Sequence, residues 1–196
     1  MLQCQLGTSE RAQRFYDEQV LDHLNPAMRD FVRRQRMMFV ATADAKGECD
    51  STFRAGPPGF LEILDDRTVA WPEYRGNGVM ASLGNISENP HVGLLMVDFV
   101  DAGVGLHING RAQLVRHADM LRVGIDGGAT PAARAIEVWV AVEIQEAYIH
   151  CSKHIPRLAD PVVEEGHRRR GRRRKTVDYF GTARSRHLAD DAEAAS

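Results

Sequence analysis

Apolar positions recur with two different periods along this chain, and the change of period divides it. Up to Arg36 the spacing is helical. Ser9 heads a segment that carries Phe15 and Val20, and Pro26, one residue after Asn25, suits the first turn of a second helix over Ala27 to Gln35. From Met37 the pattern is extended. The run Met37 to Ala43 closes on Asp44-Ala45-Lys46-Gly47, and Cys49 to Arg54 resumes it, which predicts a hairpin. Gly59 to Leu64, a turn at Asp65-Asp66, and Thr68 to Trp71 predict another strand pair.

Helical spacing returns once, over Asn77 to Ile86, where Val79, Met80, Leu83 and Ile86 fall on one face and Asn89-Pro90 ends the segment. Beyond it, His91 to Phe99 and Gly105 to Val115 are the clearest strands, the second turning Leu106, Ile108 and Leu114 inward. Gly110 breaks that alternation and marks a bulge or corner. Ile136 to Ile149 is a long last strand or a bent pair. Five to seven short strands with interpolated helices predict a small, mainly β, barrel-like domain.

Composition narrows the classes. A length of 196 residues buries roughly 70% of the unfolded surface, so neither disulfides nor a metal is needed for a core. Cys4, Cys49 and Cys151 are odd in number and widely spaced, which suits a reducing compartment. The first 20 residues hold no apolar signal segment and no window of about 18 apolar residues occurs, so the expected location is the cytoplasm. Charge is distributed unevenly. From His167 onward there are nine Lys and Arg against four acids, leaving 16 against 23 in the preceding residues. An acidic body argues against nucleic-acid binding by the fold and confines that possibility to the run HRRRGRRRK, which is more simply a solvated tail. The expected organisation is a helical segment over 1–36, a barrel domain over 37–160 and a basic, mobile tail over 161–196, with Asp178 to Gly181 as an anchor.

Three segments carry candidate chemistry. Arg54 to Gly59 (RAGPPG) sets a five-donor cation at a strand end before an irregular backbone, either to meet a ligand or as a rigid connection. Trp71 to Gly78 (WPEYRGNG) brings Arg75, Asn77 and two glycines to the head of a helix, either as a phosphate cradle or as a cap and turn. It lacks the GxxxxGK[ST] run of a nucleotide P-loop. His150-Cys151-Ser152-Lys153-His154 lacks the second ligand pair of a zinc site, and no metal is expected there. Cys49 and His107 have no evident partner, and His107 reads as a satisfied sheet residue. No acid, base or nucleophile stands out as catalytic.

Taken in order, CDSTFRAGPPGFLEI (Cys49 to Ile63), WPEYRGNGVMASLGNISENPHVGLLMVDF (Trp71 to Phe99), LHINGRAQLV (Leu106 to Val115) and AYIHCSKHIPR (Ala147 to Arg157) resemble the pyridoxamine 5′-phosphate oxidase-like, FMN-binding split-barrel proteins, closest to their short members. The resemblance implies a six-stranded split β-barrel that dimerises, with FMN in clefts between subunits. It implies that Ser51, Thr52, Phe53 and Arg54 lie along the flavin ring and reach its phosphate. Tyr74, Arg75 and Asn77 fall in the turn that meets the same phosphate, with Asn77 where the vitamin oxidases carry lysine. His150 and Lys153 match a segment near the cleft. The chain departs from true pyridoxamine phosphate oxidases in lacking their C-terminal Trp and Arg-x-His arrangement. The implied function is an FMN-dependent oxidoreductase on an unidentified small organic substrate. The alternatives are a non-catalytic flavin or haem carrier or sensor, and a deazaflavin-dependent reductase.

Overall fold

The computed structural model describes residues 2–76, 78–128, 136–156 and 158. The tail expected over 161–196, with its arginine run and its Asp178 to Gly181 anchor, lies outside the described residues. Met1–Ala159 forms one compact unit. Among the described residues, no helix is long and apolar enough to cross a membrane.

Three helices lead in: α1 (Leu2–Gln5), α2 (Ser9–Gln19) and α3 (Pro26–Arg34). Pro26 occupies the first turn of α3, and the Asn25 side chain accepts the Met28 N–H at 2.9 Å. One of the amides that a helix start leaves unpaired is thereby satisfied. α3 buries Phe31 and Val32, whereas α2 buries nothing and leans on the sheet through Phe15, whose ring meets Tyr148 edge-on at 5.7 Å.

Seven strands follow: β1 (Met37–Ala43), β2 (Cys49–Ala55), β3 (Glu62–Ile63), β4 (Thr68–Tyr74), β5 (His91–Val97), β6 (Gly105–Arg116) and β7 (Ile136–His150). They form one sheet in the order β2-β1-β5-β6-β7-β4-β3, every adjacent pair antiparallel. Among the described residues that is one strand more than the six implied by the resemblance and within the five to seven read from the pattern; the strand expected over Gly59 to Leu64 is cut to the two residues of β3, on the edge beside β4. β3 pairs no further along β4 than Ala70, and Pro72, two residues on, has no N–H to offer a neighbour.

The sheet curls around its main core. Met38 and Val40 of β1, Leu94 and Met96 of β5, Ile108 of β6, Val140 and Val142 of β7, and Val69 and Trp71 of β4 share one buried cluster, which Val32 of α3 and Ile86 of helix α4 (Ala81–Glu88) help to close. Side chains alternate between this inner face and the outer one, as strand geometry requires. The helix expected over Asn77 to Ile86 begins later, at Ala81, because Gly76, Gly78 and Met80 take left-handed backbone (φ 53°, 81° and 50°) and keep that stretch out of the helix.

β6 and β7 pair from Gly105↔His150 to Arg116↔Val138, and the register shifts between Asn109 and Gly110, leaving Gln145 without an opposite residue. The irregularity expected at Gly110 is thus a bulge. A Cβ on Gly110 would sit 2.1 Å from the Glu143 carbonyl oxygen, so the backbones approach there as only glycine permits. Leu106 and Ile108 are buried as expected, but Leu114 is 41% exposed: it lies past Ala112 at the end of β6, where the opposite side of the strand packs through Val115 on a second cluster. That cluster joins Ala70, Trp139 and Ala141 to Met120 of α5 (His117–Arg122), a helix not foreseen from the sequence. Trp139 donates its indole N–H to His117 Nδ1 at 3.0 Å.

On the outer face, a register-aligned row crosses five strands: Phe53, Phe39, Leu95, His107 and Tyr148. Phe53 is 50% and Phe39 40% exposed, and their rings meet at 5.6 Å. His107 is not isolated. It stacks on Tyr148 at 4.8 Å, and its Nε2 lies 2.9 Å from Nδ1 of His150. The ring centroids are 5.0 Å apart, close to the spacing of two imidazoles whose nitrogens point at each other and share one proton. Burial, then the field of His150, pushes the His107 pKa down.

Two expectations follow from this fold. Gly110→Ala forces β6 and β7 apart and should cost about 3 kcal/mol, roughly 6–12 °C in Tm. Gly84→Ala, inside α4 with nothing within 4 Å of the new methyl, should be neutral or stabilising by about 0.5–1 kcal/mol, and thermal melts of the two variants check the contrast. The second concerns pH. Because the folded-state pKa of His107 lies below its unfolded value, the unfolded chain binds more protons between the two. Stability is therefore complete above about pH 6.5 and falls as pH drops through that window. Melting wild type and His107→Gln at several pH values from 7.5 to 5.5 should show a steeper acid loss in wild type, and parallel curves would remove His107 as the cause.

Candidate functional site

Between β2, β4 and the start of α4 opens a cleft of about 410 Å³, lined by Thr52, Arg54, Glu73, Tyr74, Arg75 and Ser82 with neighbouring backbone. The alternation of β2 points Thr52 and Arg54 into it and Ser51 and Phe53 the other way. β4 turns Trp71 and Glu73 to the same inner side. Its pairing with β7 shifts register between Glu73 and Tyr74 and ends at Tyr74↔Ile136, and a tight turn in which Gly78 N–H donates to Arg75 O at 2.8 Å leads into α4.

A chain of polar contacts lines the floor. Glu73, 8% exposed, accepts at one oxygen, Oε1, from Arg54 Nε at 2.6 Å and from the Trp71 indole at 2.8 Å. Arg54 also donates through Nη1 to Thr52 Oγ1 at 3.0 Å and to the Phe53 carbonyl at 3.2 Å. The Thr52 hydroxyl lies 3.2 Å from the buried Ser82 hydroxyl, in the first turn of α4. Three elements are thus tied together through side chains that would be costly to bury singly.

The charges of Arg54 and Glu73 cancel. Arg75, exposed on the rim and in no ion pair among the described residues, leaves the cleft with one net positive charge. Three of the five Arg54 N–H groups are engaged, and the two on Nη2 meet no acceptor among the described residues. Two guanidinium groups, two hydroxyls and an irregular backbone make an anion-binding arrangement.

Of the residues singled out in the sequence, Thr52, Arg54, Tyr74 and Arg75 come together here. Ser51 and Phe53 belong to the outer face, and His150 is paired with His107 on that face. Lys153 follows β7 as an exposed residue whose N–H donates to Cys151 Sγ at 3.4 Å. Asn77 lies outside the described residues. Sequence reasoning missed Glu73 and Ser82. Glu73 had a readable signal, since a carboxylate two residues after a core tryptophan in a strand faces inward and must find donors there.

The sequence model of the pyridoxamine 5′-phosphate oxidase family matches residues 24–151, well over half of the chain and all seven strands. No curated protein matches the chain. Among solved structures, a variant of HupZ from Group A Streptococcus is similar with a TM-score of 0.50 at 18% identity, over 64% of this chain and 98% of that one. The conserved hypothetical protein Rv2991 from Mycobacterium tuberculosis gives 0.50 at 18% identity, over 69% of this chain and 91% of its own. A putative pyridoxamine 5′-phosphate oxidase from Listeria innocua gives 0.46 at 15% identity, over 63% and 94%. At such identities the two likenesses at 0.50 speak for the fold alone, and the sequence match carries the kinship. With every strand inside that match and the sheet in place, the chain belongs to the pyridoxamine 5′-phosphate oxidase-like split-barrel family.

Proposed function

We propose that this protein is a homodimeric FMN-binding flavoprotein, an oxidoreductase acting on a small organic substrate. One observation carries the cofactor reading: the cleft gathers Thr52, Arg54, Arg75 and Ser82, donors suited to a phosphate, at the β2 and β4–α4 segments that the family resemblance assigns to the FMN phosphate. When bound, the flavin supplies the hydride chemistry. The chain supplies the binding: Arg75 contributes net charge, Arg54 presents its Nη2 edge, and the Thr52 and Ser82 hydroxyls complete the floor. This division of labour accounts for a sequence with no conspicuous catalytic acid, base or nucleophile.

The dimer rests on the outer face. A row in which Phe53, Phe39 and Leu95 stand beside His107 and Tyr148, with Ala41 and Gly93 in the next row, is apolar enough to seat a second copy through a two-fold axis. Ser51 and Phe53, which point away from their own cleft, would then be available to the other subunit's cofactor.

Fluorescence titration of the purified protein with FMN, riboflavin and a deazaflavin tests the cofactor. FMN should bind more tightly than riboflavin, and Arg75→Ala should weaken FMN by roughly 10- to 150-fold, the equivalent of about 1.5–3 kcal/mol, while riboflavin changes little. Equal losses for both would take Arg75 off the phosphate, and uptake of the deazaflavin alone would replace the cofactor. Arg75 is a cleaner probe than Arg54, whose removal strands the buried Glu73 carboxylate. For the dimer, light scattering on dilution should show tighter association with saturating FMN than without. A 21.8 kDa monomer binding FMN one-to-one would refute the shared site.

A further inference from the structure

Glu73 sits oddly in a cleft read as a phosphate site. A buried carboxylate repels an anion and cancels one of the two nearby cations. Its geometry shows what it provides in return. Oε1 takes two donors, the Nε–H of Arg54 and the indole N–H of Trp71, which is itself only 1% exposed. The indole is fixed by the core, so it fixes the carboxylate, and the carboxylate fixes the guanidinium along its Nε edge. The Nη1 bonds to Thr52 and to the Phe53 carbonyl hold the opposite side of the plane. A side chain with four rotatable bonds is thereby reduced to one pose, with only its Nη2 N–H groups unclaimed.

We propose that Glu73 is a positioning residue for oxyanion recognition: anchored by Trp71, it seats Arg54 so that the Nη2 edge is presented to the phosphate of the bound cofactor, trading net charge for direction. This deepens the FMN reading and rests on it. A fixed donor pair loses little conformational entropy when the ligand arrives, which is the usual source of affinity in a prearranged site.

Two conservative variants separate direction from charge. Glu73→Asp keeps the charge and shortens the reach by one methylene, so it moves the seat. Glu73→Gln removes the charge and keeps an oxygen able to accept both N–H groups. Fluorescence titrations with FMN and riboflavin, alongside thermal melts to confirm folding, are expected to give an FMN Kd about tenfold higher for Glu73→Asp and equal to or below that of wild type for Glu73→Gln. Riboflavin should change less than twofold in both. A ¹⁵N–¹H spectrum of the arginine Nε–H region should show a hydrogen-bonded Arg54 Nε–H signal in wild type and in Glu73→Gln and lose it in Glu73→Asp. Tighter FMN binding by Glu73→Gln with no change in Glu73→Asp would overturn the proposal in favour of a simple charge brake. So would parallel losses for FMN and riboflavin, which would make Glu73 a structural residue only. Wild-type protein that binds no FMN at all would remove the cofactor reading and this role with it, a result distinct from FMN binding that ignores position 73.

Discussion

The β6–β7 ladder is the constraint on which the rest of the molecule depends. β7 serves two neighbours, β6 along nearly its whole length and β4 along its first half, so it joins the two ends of the sheet into one curved wall. A regular ladder of that length would keep a single parity of side chains from end to end. The bulge at Asn109/Gly110 breaks that parity. It lets β7 send Val140, Val142 and Ile144 into the main core while Ala147 and Tyr148 remain correctly disposed beyond it. The cost is a backbone contact at Gly110 that tolerates no side chain.

Once the wall is curved, β2, four places from β7 on one side, and β4, its neighbour on the other, are brought across the cleft from each other. Arg54 and Glu73 meet there because both occupy inward positions of their strands. Their ion pair is mostly withdrawn from water, so its worth lies less in net stability than in the direction it imposes on its members. Ser82 adds the head of α4 to the same network through Thr52. A polar floor assembled from three elements in this way requires the sheet to have curled first.

Local patterning in the sequence made much of this legible. The strand runs, the Asp44–Gly47 hairpin loop, Pro26 in the first turn of α3 and the irregularity at Gly110 are all decided by residues within a few positions of one another. The candidate cleft was legible in part, through Arg54 and Arg75. Pairings across long separations were not. Glu73 lies 19 residues from Arg54, and His150 lies 43 from His107. No local period brings those side chains together, and only the sheet order does. The late start of α4 escaped notice for another reason: Met80 takes a left-handed conformation that its side chain does not favour, imposed by the turn on either side of Gly78.

An open sheet has two ends, and each is a template on which a stray extended segment of another molecule could add. At the β4 end, the chain caps the template with only two residues of β3 and places Pro72 just past them, inside a strand that is otherwise an inviting apolar edge. Main-chain pairing therefore cannot propagate outward along β4 beyond Ala70. A chain whose strands are this apolar is thus guarded on one side against runaway strand-by-strand polymerisation, by a buried residue whose missing N–H leaves the edge nothing to donate at that point.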